Sequence, residues 1–171
     1  MFARFRPAQL APGVPLIELD ELWARGIRGI VLDVDNTLCA WQWGRAEVPG
    51  PVAAWVAQAR ERGFRLCIIS NGRPGRVAGV AEVLGLPFIA RARKPFRGGF
   101  RRALELLGTE PRATAAVGDQ LLTDVWGANR MGLYSILVSA ISPREFAGTK
   151  ISRLIESVIR HRLGLPGVYS T

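Results

Sequence analysis

The sequence predicts an α/β fold in three layers, a mostly parallel five-stranded sheet with helices on both faces. Three observations carry that prediction. Short β-rich runs alternate with helix-length amphipathic segments along most of the chain. The strand candidates are apolar nearly throughout rather than at every second position, as burial on both faces requires. Pro51 and Pro74 suit first helical turns, while Gly63, Gly85, Gly108 and Gly132 stand where helices should stop.

Taken in order, the apolar run over 29–33 is the first strand and the segment 51–62 its crossover helix. A second strand over 65–69 precedes a helix over 76–84, and a short third strand over 88–90 precedes one over 97–107. The fourth strand, 113–117, leads into a helix over 121–131, and the fifth, 134–138, into a last helix over 143–163. Right-handed crossovers put every strand's C-terminal end on one edge of such a sheet, where ligands of open α/β folds bind.

A length of 171 residues fits one domain. The expected division is an N-terminal extension over 1–25 packing on or near the core, a domain over 26–165 and a tail over 166–171. With 49% hydrophobic and 22% charged residues the composition is globular, and no repeat or low-complexity tract stands out. No apolar run approaches the roughly 20 residues that a membrane-spanning helix needs. The proline-interrupted start does not read as a signal peptide. Cys39 and Cys67 have neither metal-ligand spacing nor a disulfide partner pattern, so a reducing cytoplasm is expected.

The net charge of +9 raises nucleic acid and anionic membrane as partners. Of 23 cations 21 are Arg, scattered from Arg4 to Arg162, so a general preference for arginine is the competing explanation. One cluster stands apart: Arg91, Arg93, Lys94, Arg97, Arg101 and Arg102 fall within twelve residues that contain no acid. A solvated helix face, an anionic substrate or membrane, and nucleic acid are its three readings.

Chemistry collects at the strand ends. The first strand runs into Asp33-Val34-Asp35, the second into Ser70-Asn71-Gly72 and the fourth into Gly118-Asp119, with Asp124 following; Lys94 lies in the loop after the third. Period 2 sends Asp33 and Asp35 toward one side, and two carboxylates that close repel unless a cation is near. Asp and Asn also end strands in ordinary turns, and Ser-Asn-Gly alone is an ordinary turn sequence. Asp119 and Asp124 shift the balance, because several carboxylates at adjacent strand ends form a hard oxygen site suited to Mg²⁺ with its waters and a substrate phosphate. Ser70, and the backbone N–H groups near Asn71 and Gly72, offer donors to phosphate oxygens. Lys94, in a chain that otherwise favours arginine, suggests a compact point charge. The single histidine, His161, sits in the last helix and reads as structural. The set points to phosphoryl transfer, with an aspartate able to act as nucleophile.

Asp33-Val34-Asp35-Asn36-Thr37 resembles the first motif of the haloacid dehalogenase superfamily, Ser70-Asn71 its second, Lys94-Pro95 its third, and Gly118-Asp119 through Asp124 its fourth. The run from Gly118 to Val125, with Asn129-Arg130 and Gly132-Leu133-Tyr134, further resembles the YqeG-like branch, related to phosphatidylglycerophosphate phosphatases. The resemblance spans about 26–141. It implies a Rossmann-like fold and an aspartyl-phosphate phosphatase using Mg²⁺. By it Asp33 is the nucleophile and a metal ligand, and Asp35 is the general acid and base that also offers its carbonyl to the metal. Asp119 is the principal fourth-motif ligand, and Asp124 binds through water or orients Lys94. Ser70, Asn71 and Lys94 hold the phosphoryl oxygens, and Thr37 supports the first motif. A two-component receiver domain is the nearest look-alike, but its acceptor Asp would sit on a third strand that here has none.

Members of this superfamily commonly carry an inserted cap. The twelve residues from Leu38 to Pro49 allow only a small flap, and between Gly72 and Arg93 only one helix and one short strand fit, so an open site without a large cap is expected. Trp41 and Trp43 on the flap could pack on Trp55, touch a lipid interface or stack on a ring. With Phe2, Arg4, Phe5 and Arg6 at the start they permit peripheral contact with the inner face of an anionic membrane. The expected substrate is a soluble phosphorylated metabolite or a phosphatidylglycerophosphate-like lipid headgroup. A nucleic-acid end, or a non-catalytic anionic-ligand or RNA platform on the same fold, are the alternatives, and the sequence leaves the oligomeric state open.

Overall fold

The computed structural model describes residues 2–40, 47–142, 149–165 and 167. Six strands form one sheet in the order β1-β6-β5-β2-β3-β4: β1 Gln9–Ala11, β2 Gly29–Leu32, β3 Arg65–Ile69, β4 Phe88–Ile89, β5 Thr114–Gly118 and β6 Tyr134–Val138. Every pairing is parallel. The helices are α1 Leu19–Ala24, α2 Gly50–Glu61, α3 Pro74–Leu84, α4 Arg97–Leu107, α5 Trp126–Met131 and α6 Thr149–Leu163.

Strand alternation explains the three layers. Ile30 and Leu32 of β2, Leu66 and Ile68 of β3, and Ala115 and Val117 of β5 belong to one apolar cluster with Val52, Trp55 and Val56 of α2 and Val77, Val80 and Leu84 of α3. The intervening Val31, Cys67, Ile69 and Ala116 belong to a second cluster with Phe100, Ala103 and Leu107 of α4 and Ala128 of α5. Both faces are dry, so both side-chain sets are apolar and the strands lack visible alternation.

The sheet carries one strand more than the five expected. β1 is three residues long between Pro7 and Pro12, too short to show a period, and it pairs with β6 through Gln9↔Ile136 to Ala11↔Val138. The chain before the first motif is further tied down where Trp55 Nε1 donates to the Ile17 carbonyl at 2.8 Å. The helix expected over 121–131 is two pieces. Leu121–Val125 is a single π turn that passes into α5, and such wide turns occur often at functional sites. Residues 143–148, expected in the last helix, and the flap residues Trp41 and Trp43 lie outside the described residues. Among the described residues no helix is long and apolar enough to cross a membrane.

Candidate active site

Asp33 follows directly on β2, and its N–H still donates to the Val117 carbonyl at 3.0 Å, so the ladder with β5 fixes its position. The chain then reverses. Asn36 takes φ 62°, and the N–H groups of Thr37, Leu38 and Cys39 all turn toward the Val34 carbonyl, which gathers the first motif into a tight loop. Asparagine tolerates this left-handed conformation better than most residues. Thr37 is buried inside the loop.

Lys94 Nζ joins two of the acids, donating to Asp33 Oδ1 at 2.6 Å and to Asp124 Oδ1 at 2.5 Å, with all three side chains buried. The π turn brings Asp124 back over β5, where its Oδ2 accepts from the Gln120 N–H at 3.1 Å. Gly118 leaves room for this fold-back, since a Cβ there would overlap the Asp124 carboxyl. Oxygens of Asp33, Asp119 and Asp124 lie within 4.8 Å of one another.

Burial pushes the Asp33 carboxyl up to about 7; Lys94 opposes the shift, while Asp124 and Asp35 add to it. Burial alone would lower Lys94, but the Asp124 and Asp33 carboxylates outweigh it and hold the ammonium well above its ordinary range. Lys94 is therefore a fixed cation, and Asp33 needs a further positive charge to ionise fully near neutrality.

Asp35 stands apart from this cluster. Its Oδ1 accepts from Arg76 Nε at 2.7 Å, and Arg76 Nη2 donates to the Ala40 carbonyl at 3.3 Å. Arg76 was invisible as a functional residue among 21 arginines. Its one distinguishing mark is its place in the first turn of the helix that follows Ser70-Asn71-Gly72. The other oxygen of Asp35 and the Ser70 hydroxyl face the same space, for a Cβ built on Gly72 would lie 3.6 Å from Asp35 Oδ2 and 3.1 Å from Ser70 Oγ.

Ser70 is buried and its Oγ accepts from the Gly72 N–H at 3.0 Å. The side chain of Asn71 is committed elsewhere: it donates to the Lys94 carbonyl at 3.0 Å and accepts from the Lys94 N–H at 2.7 Å. It works as a clamp between two loops, so any phosphate contact expected of Asn71 falls to its backbone. Two charged residues of α6, unmarked in the sequence, close the far side. Glu156 accepts from the Leu122 N–H at 3.1 Å and Arg160 donates to the Asp119 carbonyl at 3.4 Å, both from buried positions. Their i, i+4 spacing was the available signal.

A protein of Bacillus subtilis (strain 168) named Probable phosphatase YqeG is 34% identical over 163 residues, covering 95% of this chain and 94% of the relative. The chain belongs to the haloacid dehalogenase superfamily. Within it the chain is a phosphatase, a phosphoric monoester hydrolase of the YqeG-like branch. The family model described as "HAD-hyrolase-like" matches residues 91–142, the stretch from the Lys94 loop through β6. The Phosphatidylglycerophosphate phosphatase 1, chloroplastic, of Chlamydomonas reinhardtii is 28% identical over 88% of this chain and 59% of its own. The cobalt-bound deoxy-D-mannose-octulosonate 8-phosphate phosphatase of Haemophilus influenzae shares the fold, with TM-score 0.57 and 13% identity over 82% of this chain and 91% of that one. Superfamily phosphatases work with a divalent metal, and the buried acids here suit one: three carboxylates converge, and Lys94 holds Asp33 and Asp124 from one side.

Proposed function

We propose that the protein is a Mg²⁺-dependent phosphomonoesterase that works through an aspartyl phosphate on Asp33. One observation carries the reading: a buried carboxylate at the end of the central strand shares a buried lysine with a second acid, beside a third. Asp33, Asp119 and the Asp35 carbonyl would hold the ion, which supplies charge neutralisation for the oxygens of the transferring phosphoryl group.

Lys94 and Ser70 hold the phosphoryl oxygens as charge spreads over them, in a site dry enough to strengthen each contact. An Asp33 oxygen attacks phosphorus, the bond from phosphorus to the substrate oxygen breaks, and Asp35 passes its proton to that leaving oxygen. Asp35 then takes a proton from water as the water oxygen attacks phosphorus. The Asp33–phosphorus bond breaks and inorganic phosphate leaves. Asp124 acts through Lys94, fixing its ammonium.

We take residues 26–165 as the phosphatase domain, with 1–25 packed on it as an extension and 166–171 as a tail. The chain between Gly72 and Arg93 forms only α3 and β4, which supports an open site. Such a site suits a phosphorylated metabolite or a phosphatidylglycerophosphate-like lipid, and the Chlamydomonas relative supports the lipid. Both cysteines are free and buried, which supports the cytoplasm.

The test is p-nitrophenyl phosphate turnover with and without Mg²⁺, beside Asp33→Asn, with hydroxylamine trapping of the acyl phosphate. The parent should turn over only with metal and be trapped on Asp33; the variant should fall at least about a thousandfold. Comparable release by the variant would remove Asp33 as nucleophile.

A further inference from the structure

The site accounts for Lys94 but leaves its arginine neighbours without a task. Beside it, where the loop after β4 enters α4, lies an open groove of about 830 Å³ lined by Arg91, Arg93, Phe96, Gly99, Arg101 and Arg102. The loop is built with strain. Arg91 and Arg93 take φ 47° and 57°, a left-handed backbone that L residues with a Cβ rarely adopt. It is tied to the phosphate loop, with the Arg91 N–H donating to the Gly72 carbonyl at 3.3 Å and the Ala92 N–H to the Ser70 carbonyl at 3.0 Å. The two arginines are exposed while Ala92 and Lys94 between and after them are buried. One short loop therefore presents a lysine to the catalytic acids and two guanidinium groups to solvent. Backbone strain held in place by neighbouring structure marks functional segments.

The opposite wall is the start of α4. Gly99 lets the helix press on the loop, since a Cβ there would sit 2.7 Å from the Ala92 carbonyl oxygen. This closeness puts Arg101 and Arg102 in one groove with Arg91 and Arg93, and Arg97 opens the same helix. Among the described residues none of these five has a carboxylate partner. Phe96 stands in their midst with 66% of its surface exposed. The positive face continues past the groove. Arg130 donates to the Pro95 carbonyl at 3.4 Å, and beyond it Arg4 lines a second hollow with Trp126 and Asn129.

Guanidinium groups with no carboxylate partner among the described residues, gathered around one projecting apolar side chain, match the boundary of an anionic bilayer. Each Arg near such a surface is drawn by its negative potential, its planar fork suits phosphate oxygens, and the aromatic ring suits the acyl boundary. Single-stranded nucleic acid asks for a row of stacking rings along the basic track, and the groove offers Phe96 alone. We propose that this groove docks the protein on an anionic phospholipid surface, on the sheet edge that carries the catalytic acids.

The experiment is co-sedimentation of the full chain with vesicles of phosphatidylcholine alone and of phosphatidylcholine mixed with phosphatidylglycerol, at low and high salt. It reads binding without turnover, so it stands or falls separately from the catalytic mechanism. The parent should pellet with the mixed vesicles only, and be released by salt. The double variant R101E/R102E should lower the bound fraction at least about tenfold, two reversed charges being worth more than 1.4 kcal/mol, with p-nitrophenyl phosphate turnover unchanged. Phe96→Ser should weaken binding to mixed vesicles by a smaller factor. Failure to pellet at low salt, equal binding to neutral vesicles, or parent-like binding by R101E/R102E would overturn the proposal. So would displacement of the parent from mixed vesicles by a single-stranded oligonucleotide that R101E/R102E no longer binds, which would assign the groove to nucleic acid.

Discussion

Asp33 and Asp35 are separated only by Val34, yet each answers to its own cation: Asp33 to Lys94, Asp35 to Arg76. That division makes separate predictions. Lys94→Met strands two buried carboxylates and should cost about 3–5 kcal/mol of stability at neutral pH. Urea denaturation of the parent and the variant at neutral pH measures that loss. Arg76→Met leaves Asp33, Asp119 and Asp124 in place but frees the Asp35 rotamer. If Asp35 protonates the leaving oxygen, turnover of an alkyl phosphate should fall roughly 10–100-fold while p-nitrophenyl phosphate, whose leaving group needs little proton help, falls much less. Steady-state kinetics on the two substrates checks this, and an equal loss on both would separate Arg76 from proton transfer. Cys39 and Cys67 are pushed up to about 11 and about 12 by burial. Neither should react with iodoacetamide at mildly alkaline pH unless the protein unfolds.

At the scale of elements, the π turn and Gly118 are interdependent. Gly118→Ala must displace Asp124, and with it the anchor of Lys94, so it should lower turnover far more than a core Gly-to-Ala exchange away from the site; crystallography of the variant would show the shifted carboxyl. Trp55→Phe keeps the ring packing but loses the bond to Ile17, and should cost about 1 kcal/mol in thermal denaturation. β2, β3, β5 and β6 were legible because each is long enough to show its apolar run, and β4, only two residues long at the sheet edge, because the elements on both sides of it are punctuated by glycine or proline. β1 and α1 were not, being three and six residues long. The acids at the strand ends were legible since parallel topology dictates where they gather. Arg76, Glu156 and Arg160 were hidden, because an arginine or glutamate bound for the interior looks like one bound for water until a tertiary partner is known.

For the whole molecule, the raised Asp33 couples stability, metal and pH. Its folded value near 7 exceeds its ordinary 3.8, so between those limits the folded chain holds a proton that the unfolded chain has released. The contribution of this group is therefore full below about pH 4 and lost as pH rises to about 7. Metal binding reverses the preference because the ligand must be ionised. Mg²⁺ should release about one proton per ion at pH 6 and fewer at pH 8, measured by calorimetry in buffers of different ionisation heat. Its stabilising effect on Tm should grow with pH over the same interval. The pair of hydrogen bonds between the Asn71 amide and the Lys94 backbone has one more consequence. With the loops from β3 and β4 fastened together in advance, the cradle stands ready before anything enters it. Free orthophosphate, the last species to leave in the proposed two-step reaction, would then meet the same finished fit as the ester. Competitive inhibition by orthophosphate should accordingly be marked, and Asn71→Ala should relieve it.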